Sequence, residues 1–164
     1  MQDESFTEKN SLAIRVEQAI ANYYTLHFKM KAHLPRVPVA GYDIVCPDVG
    51  NIEVKEDRLA KQSGNYAIEY KNYNDEPSGL YGTEAKTFVI VDFDNVVISS
   101  TENLKYLVDH CERKRNILMG FRKDSGRQCK GWLVPQGEIL YSPFVEVIPR
   151  WFPHWRYVDG TVYA

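Results

Sequence analysis

Residues 88–98, Phe-Val-Ile-Val-Asp-Phe-Asp-Asn-Val-Val-Ile, constrain this chain more than any other segment. The run is apolar and rich in β-branched residues, which fit a pleated backbone and poorly fit a helix. Side chains on both of its faces are apolar, so both faces need cover. It reads as a central strand, bent at Asp92 to Asn95, and the rest of the chain must supply what packs on either side.

Two helices are predicted. In the first, roughly residues 8–31, a turn of ~100° per residue puts Ala13, Val16, Ile20, Tyr24 and His27 on one face. Glu17 falls at the edge of that stripe, ~40° from Ala13 and ~20° from Tyr24. A purely structural glutamate is uncommon there. Pro35 and Pro38 cannot continue the helix. The second helix opens at Ser99-Thr-Glu-Asn, with Ser99 and Glu102 at capping-box spacing. Its stripe is Leu104, Leu107, Val108 and Cys111. It closes in Glu112-Arg-Lys-Arg, whose positive charges suit a helix C-terminus.

Three further strands are expected ahead of the central one, as a meander: Tyr42–Cys46, Asn51–Lys55 and Tyr66–Lys71. In the second, Ile52 and Val54 alternate with Glu53 and Lys55. Residues 72–82 and 120–130 have loop composition, and Trp132–Pro135, Ile139–Tyr141 and Phe144–Ile148 are strand-like. This order predicts an α/β fold with a central mixed β-sheet flanked by helices. Residues 1–149 make one domain, followed by an aromatic and basic tail, 150–164.

At 164 residues the chain has room for one domain with a real core. Its hydrophobic fraction of 44% suits a globular protein rather than a disordered one. No apolar run approaches the roughly 20 residues of a membrane span, and Met-Gln-Asp-Glu-Ser lacks the regions of a signal peptide. Cys46, Cys111 and Cys129 form no Cys-x-x-Cys pair, which fits a reduced, cytoplasmic protein with buried thiols. A net charge of −2 still allows nucleic acid as partner, because a carboxylate cluster offsets basic patches elsewhere. Ser/His/Asp nucleophile patterns, Walker loops and dinucleotide motifs are absent.

The chemistry gathers in Gly41-Tyr-Asp-Ile-Val-Cys-Pro-Asp-Val-Gly-Asn-Ile-Glu-Val-Lys. Glu-x-Lys occurs four times, starting at Glu53, Glu69, Glu84 and Glu112, so the tripeptide alone carries nothing. The first copy lies in an alternating strand just after a strand carrying Asp43. Antiparallel neighbours bring facing side chains to about 5 Å, so Asp43 and Glu53 can aim at one place with Lys55 beside them. Two carboxylates that close repel unless a cation lies between them. Mg²⁺, with Mn²⁺ substituting, suits oxygen ligands. Lys55 would orient the attacking water or neutralise charge on a phosphate, and Glu17 would hold the metal's hydration shell. The bland reading is a solvated hairpin with Asp–Lys pairing.

These residues resemble the PD-(D/E)xK nucleases, whose core has a helix with a glutamate, a strand with an aspartate and a strand with Glu-x-Lys. The matching positions are Glu17, Asp43, Glu53 and Lys55. The proline and first aspartate of the family's name are relaxed, since Ala40-Gly41-Tyr42 precedes Asp43. Residues 54–91, with Ser-Gly-Asn before one strand and Pro-Ser-Gly before another, look like a branch of small phage-type nucleases. Gly-Trp-Leu-Val-Pro resembles their later strand. The spacing of Glu17 and Asp43 is similar to that of archaeal-type Holliday junction resolvases. The resemblance covers roughly residues 10–140. It implies a restriction-endonuclease-like core, Mg²⁺ held by Asp43, Glu53 and Glu17, and hydrolysis of phosphodiester bonds in branched DNA by a homodimer. Action on single-stranded, flap or mismatched DNA is the alternative within that family. A nucleic-acid-binding module with a vestigial site and a plain interaction protein are the alternatives outside it.

Other residues are candidates for DNA contact. Lys61, Gln62, Ser63 and Tyr66 follow the Glu-x-Lys strand. Arg113, Lys114, Arg115, Arg122, Lys123, Arg127 and Lys130 form the main basic concentration. Ser78, Gly79 and Thr83 lie in a loop whose N–H groups could meet phosphate. Glu69, Lys71 and Asp57 define a second possible acidic site, ranked lower because residues 55–64 are not strand-like. The tail aromatics Trp151, Phe152, Trp155 and Tyr157 could stack on bases or pack across a dimer.

Overall fold

The computed structural model describes residues 4–120 and 126–150, with side chains from Ala13 onward. Arg122, Lys123 and the tail aromatics lie outside the described residues.

The element order is α1 (Glu4–His27), β1 (Ile52–Glu56), α2 (Ala60–Ser63), β2 (Asn65–Lys71), β3 (Thr87–Val91), β4 (Asn95–Ser100), α3 (Thr101–His110), β5 (Arg115–Met119), β6 (Cys129–Pro135), α4 (Gln136–Leu140) and β7 (Val145–Pro149). The strands form two sheets. One is mixed, in order β1-β3-β4-β7, and the other runs β2-β6-β5. Within the first, β1 is parallel to β3 and the remaining pairs are antiparallel. The fold is therefore α/β with a four-stranded mixed sheet, as the sequence predicts at that level. Among the described residues no helix is long and apolar enough to cross a membrane.

All five residues of β3 are buried, and the two apolar faces of the run divide as its alternation requires. Val89 and Val91 join Ile20, Tyr24, Ile52, Val96 and Ile148 in one core. Phe88 and Ile90 join Tyr66, Ile68, Leu80, Val97, Leu104 and Val108 in the other. The run is two strands rather than one bent strand. The chain reverses at Asp92, whose Oδ1 accepts from the amides of Asp94 and Asn95, each at 2.7 Å. Tyr66 of the second sheet donates to the other oxygen of the same carboxylate at 2.5 Å. Asp92 is only 1% exposed, so this one side chain closes the turn and ties the sheets together.

Several expected elements differ. The three-strand meander does not form. Tyr42–Cys46 reduces to isolated bridges, Ile44 with Ile52 and Val45 with His33, and β1 pairs with β3 instead of β2. The polar segment after β1 lets the chain cross to the second sheet, where Tyr66 and Ile68 are buried in the core cluster that also holds Val97, Leu104 and Val108. α1 ends at His27 because Lys29 takes a left-handed conformation (φ 58°). His27 is exposed and stacks on Tyr23 with ring centroids 5.1 Å apart, rather than joining the core. The second helix is capped one residue later than its spacing suggests: Ser100 accepts from the amide of Asn103, while Ser99 is buried in β4 and donates to the carbonyl of Phe144. That helix stops at His110, and Arg115–Met119 forms the edge strand β5. Ile139–Tyr141 belongs to the short helix α4 and its end rather than a strand, with Ile139 buried.

Candidate active site

β1 keeps its alternation. Ile52 is fully buried and Val54 packs beside it in the first core, while Glu53 and Lys55 point the other way. The parallel register sets Glu53 beside Phe88 and Lys55 beside Ile90, so both side chains project on the side of the second sheet. One edge of β1 is paired with β3. The other is met by the segment carrying Asp43, whose amide donates to Ile52 O at 3.0 Å. The Asp43 carboxylate then accepts from the Val54 amide at 2.8 Å through Oδ2. Val54 lies between Glu53 and Lys55, so this bond fixes Asp43 against both.

Glu17 comes from α1, which packs on the opposite face through Ile20 and Tyr24. Burial pushes its carboxyl up to about 7, and the charge of Asp43 adds to the rise. Glu53 is pushed up to about 7 as well, by burial first and then by Asp43 and Glu17, with the Thr83 hydroxyl and Lys55 opposing. Burial raises Asp43 too, against the Val54 amide and Lys55. Glu17, Asp43, Glu53 and Lys55 thus form one electrostatic group, brought together from residues 38 positions apart at most in the chain.

The donor set is all oxygen, with surplus negative charge. That suits a hard divalent cation. Asp43 and Glu53 engage Oδ2 and Oε2 in the bonds to Val54 and Thr83, one oxygen of each carboxylate. Among the described residues no three His, Cys, Asp or Glu side chains converge as a closed ligand group. Mg²⁺ does not need one, since it keeps several waters and is commonly held through one or two carboxylates. Asp43 and Glu53 could hold such an ion.

The second acidic site does not assemble. Asp57 closes a local turn, accepting from the amides of Leu59 at 3.1 Å and Ala67 at 2.8 Å. A register shift between Glu69 and Lys71 separates that pair. Lys71 is 3.5 Å from Asp75. Glu69 is engaged elsewhere. It accepts from the Ser78 hydroxyl and is bonded to the Cys129 thiol, which burial and Glu69 push up while Tyr73 and Lys55 act against the rise. Cys129 thus feels the charges of both Glu69 and Lys55. Sequence reasoning treats it only as a buried thiol. Nothing in the local sequence around Cys129 marks it, because its place depends on the pairing of β2 with β6.

The remaining candidates divide. Lys61 pairs with Asp94 at 3.1 Å and lies over the Phe93 ring. Gln62 is exposed, and Ser63 is spent on a local turn with Asn65. Arg113 is held by Glu138, its Nε at 2.7 Å. Lys114 lies 5.2 Å over the Trp132 ring, and Arg115 is exposed on β5. Arg127 reaches Asn74 at 3.4 Å and Lys130 pairs with Asp75 at 2.7 Å. The two ends of the described basic stretch are joined in the second sheet, where Met119 pairs with Cys129. The loop carrying Ser78 and Thr83 turns its amides inward: Ser78 N–H donates to Tyr70 O, and Thr83 N–H to Gly79 O. Those two amides are thereby already engaged.

No protein-family model matches the chain, and no curated protein matches it in sequence.

Proposed function

We propose that this protein is a metal-dependent endodeoxyribonuclease with a restriction-endonuclease-like core of the PD-(D/E)xK type. The observation that carries the reading is the group of three carboxyls, Glu17, Asp43 and Glu53, all raised by burial, with the charge of Asp43 adding to the rise of the other two and Lys55 opposing it at Asp43 and Glu53. Keeping such like charges together works against stability unless a ligand neutralises them. A solvated hairpin would leave Asp43 and Glu53 open to water, whereas both are half-buried here.

Asp43 and Glu53 would hold Mg²⁺ or Mn²⁺, with Glu17 on its hydration shell. When bound, such an ion supplies Lewis-acid stabilisation of charge on a phosphate oxygen. The residues contribute the rest. The hydrogen bond from Val54 fixes Asp43, and that from Thr83 orients Glu53. The Lys55 ammonium donates to the attacking water or to a non-bridging phosphate oxygen, and its charge offsets what develops there. Water adds to phosphorus, one P–O ester bond breaks, and the departing oxygen takes up a proton.

Branched DNA, in the manner of a Holliday junction resolvase, is the substrate we favour. Two opposed nicks then require two sites and hence a dimer. In support, β7 is an edge strand among the described residues and carries exposed Val147, with exposed Phe144 and Tyr141, the latter 90% exposed, just before it. The test is incubation with linear, flapped and four-way DNA, with and without Mg²⁺. Cleavage of the flap or the linear duplex in preference to the junction assigns a different nuclease specificity to the same site.

A further inference from the structure

The turn of residues 78–83 touches two carboxylates. At its start Ser78 donates to Glu69. At its end the Thr83 hydroxyl bonds Glu53 Oε2 at 3.3 Å and Gly41 O at 2.7 Å. Between them the backbone is closed by three bonds, from Tyr81 to Ser78 O and from Gly82 and Thr83 to Gly79 O. Leu80 pins the middle, fully buried in the second core. Gly79 sits at φ 53°, and a Cβ there would lie 2.6 Å from Glu69 O. A Cβ on Gly82 would lie 2.6 Å from Pro77 O. The turn is thus held at both ends, at its middle and along its backbone.

We propose that Glu69 is a positioning residue for Glu53, acting through the Ser78–Thr83 turn. Glu69 sets the position of Ser78, the closed turn carries it to Thr83, and Thr83 fixes one oxygen of Glu53 while anchoring to Gly41 two residues before Asp43. The consequence for metal binding rests on the nuclease reading, but the mechanical coupling does not.

The test has two arms on the full chain. In ion-free buffer, amide NMR of Glu69→Ala should show shifts at Thr83 and Glu53 as well as at Ser78. Glu69→Gln retains an acceptor for Ser78 and should leave Thr83 and Glu53 unmoved. Ser78→Ala, which keeps Glu69, should reproduce the Glu69→Ala pattern if that variant folds poorly. In the second arm, calorimetric Mn²⁺ titration should show about a tenfold loss of affinity for Glu69→Ala and for Thr83→Val, the order found when groups orienting a metal ligand are removed. The double variant should lose no more than the weaker single one, because both act through one connection. Shifts confined to Ser78 and Gly79, additive losses, or a Glu69→Gln as impaired as Glu69→Ala would each overturn the proposal. If the wild type binds no Mn²⁺ while the NMR coupling is present, the nuclease reading fails and the coupling stands.

Discussion

The Asp43 carboxylate occupies the place of a neighbouring strand, accepting the Val54 amide at 2.8 Å on the edge of β1 that β3 does not cover. One side chain thereby serves both the sheet and the acidic group. The two roles separate by substitution. Asp43→Asn retains an acceptor for Val54 and should unfold in urea near the wild-type midpoint. Asp43→Ala leaves a half-buried amide unpaired and should lose about 1–2 kcal/mol. Both should abolish metal-dependent cleavage. An active Asp43→Asn would remove Asp43 from the site.

The raised carboxyls set the direction of pH dependence. Glu17 and Glu53 titrate near 7 in the folded chain against an ordinary 4.5. Between those values the folded state binds more protons than the unfolded one, so stability falls as pH rises through the window. Tm at low ionic strength should drop from about pH 5 to about pH 8. Mg²⁺ should raise Tm more at the higher pH, where the carboxylates are ionised. A Tm that rises across this window, or an Mg²⁺ effect largest at the lower pH, would contradict the clustering.

Asp92 should matter for folding and not for chemistry. Its removal leaves the buried Tyr66 hydroxyl and the amides of Asp94 and Asn95 without their acceptor. Asp92→Ala should cost about 3 kcal/mol in denaturant unfolding. A midpoint close to the wild type's would mean that the turn closes without it.

The branched-DNA proposal has its own measurement. Light scattering should report a dimer. Gel shift should show a four-way junction bound at least about tenfold more tightly than a linear duplex, or about 1.4 kcal/mol. Binding should weaken steeply with salt as phosphate contacts release counterions. A monomer with equal affinity for both DNAs leaves only an unspecialised nuclease.

What the sequence makes legible follows the range of the interaction. The alternation of Ile52 to Lys55 and the stripe through Val16, Ile20 and Tyr24 are local, and the structure keeps both. The doubly buried character of Phe88–Val91 is legible for the same reason. The reversal at Asp92 was less so, because Val96 to Ile98 continue the apolar pattern and only the Asp92 side chain decides between a bend and a turn. Strand partners are non-local. Nothing near Glu53 reveals that β1 lies parallel to β3, or that β2 leaves for a second sheet. Asp43 and Glu53 are neighbours as the antiparallel reading expects, because the Ile44–Ile52 bridge sets positions 43 and 53 opposite each other; the edge hydrogen bond from Val54 to Asp43 adds to that pairing. The bond between Glu69 and Cys129 depends on β2–β6 pairing across a long separation, which no local pattern encodes.

The most direct measurement is cleavage of labelled linear, flapped and four-way DNA by the wild type, Glu53→Ala and Lys55→Ala, each with Mg²⁺, Mn²⁺, Ca²⁺ or excess chelator. The wild type should cleave with Mg²⁺ or Mn²⁺, and not with Ca²⁺ or chelator. Each substitution should lower the rate by at least about 10²-fold, the order for losing a major electrostatic group at a reacting centre, while DNA binding persists. Full activity in chelator, a near-normal rate for Glu53→Ala, or no cleavage of any DNA under any ion would contradict the assignment of Asp43, Glu53 and Lys55 as a nuclease centre.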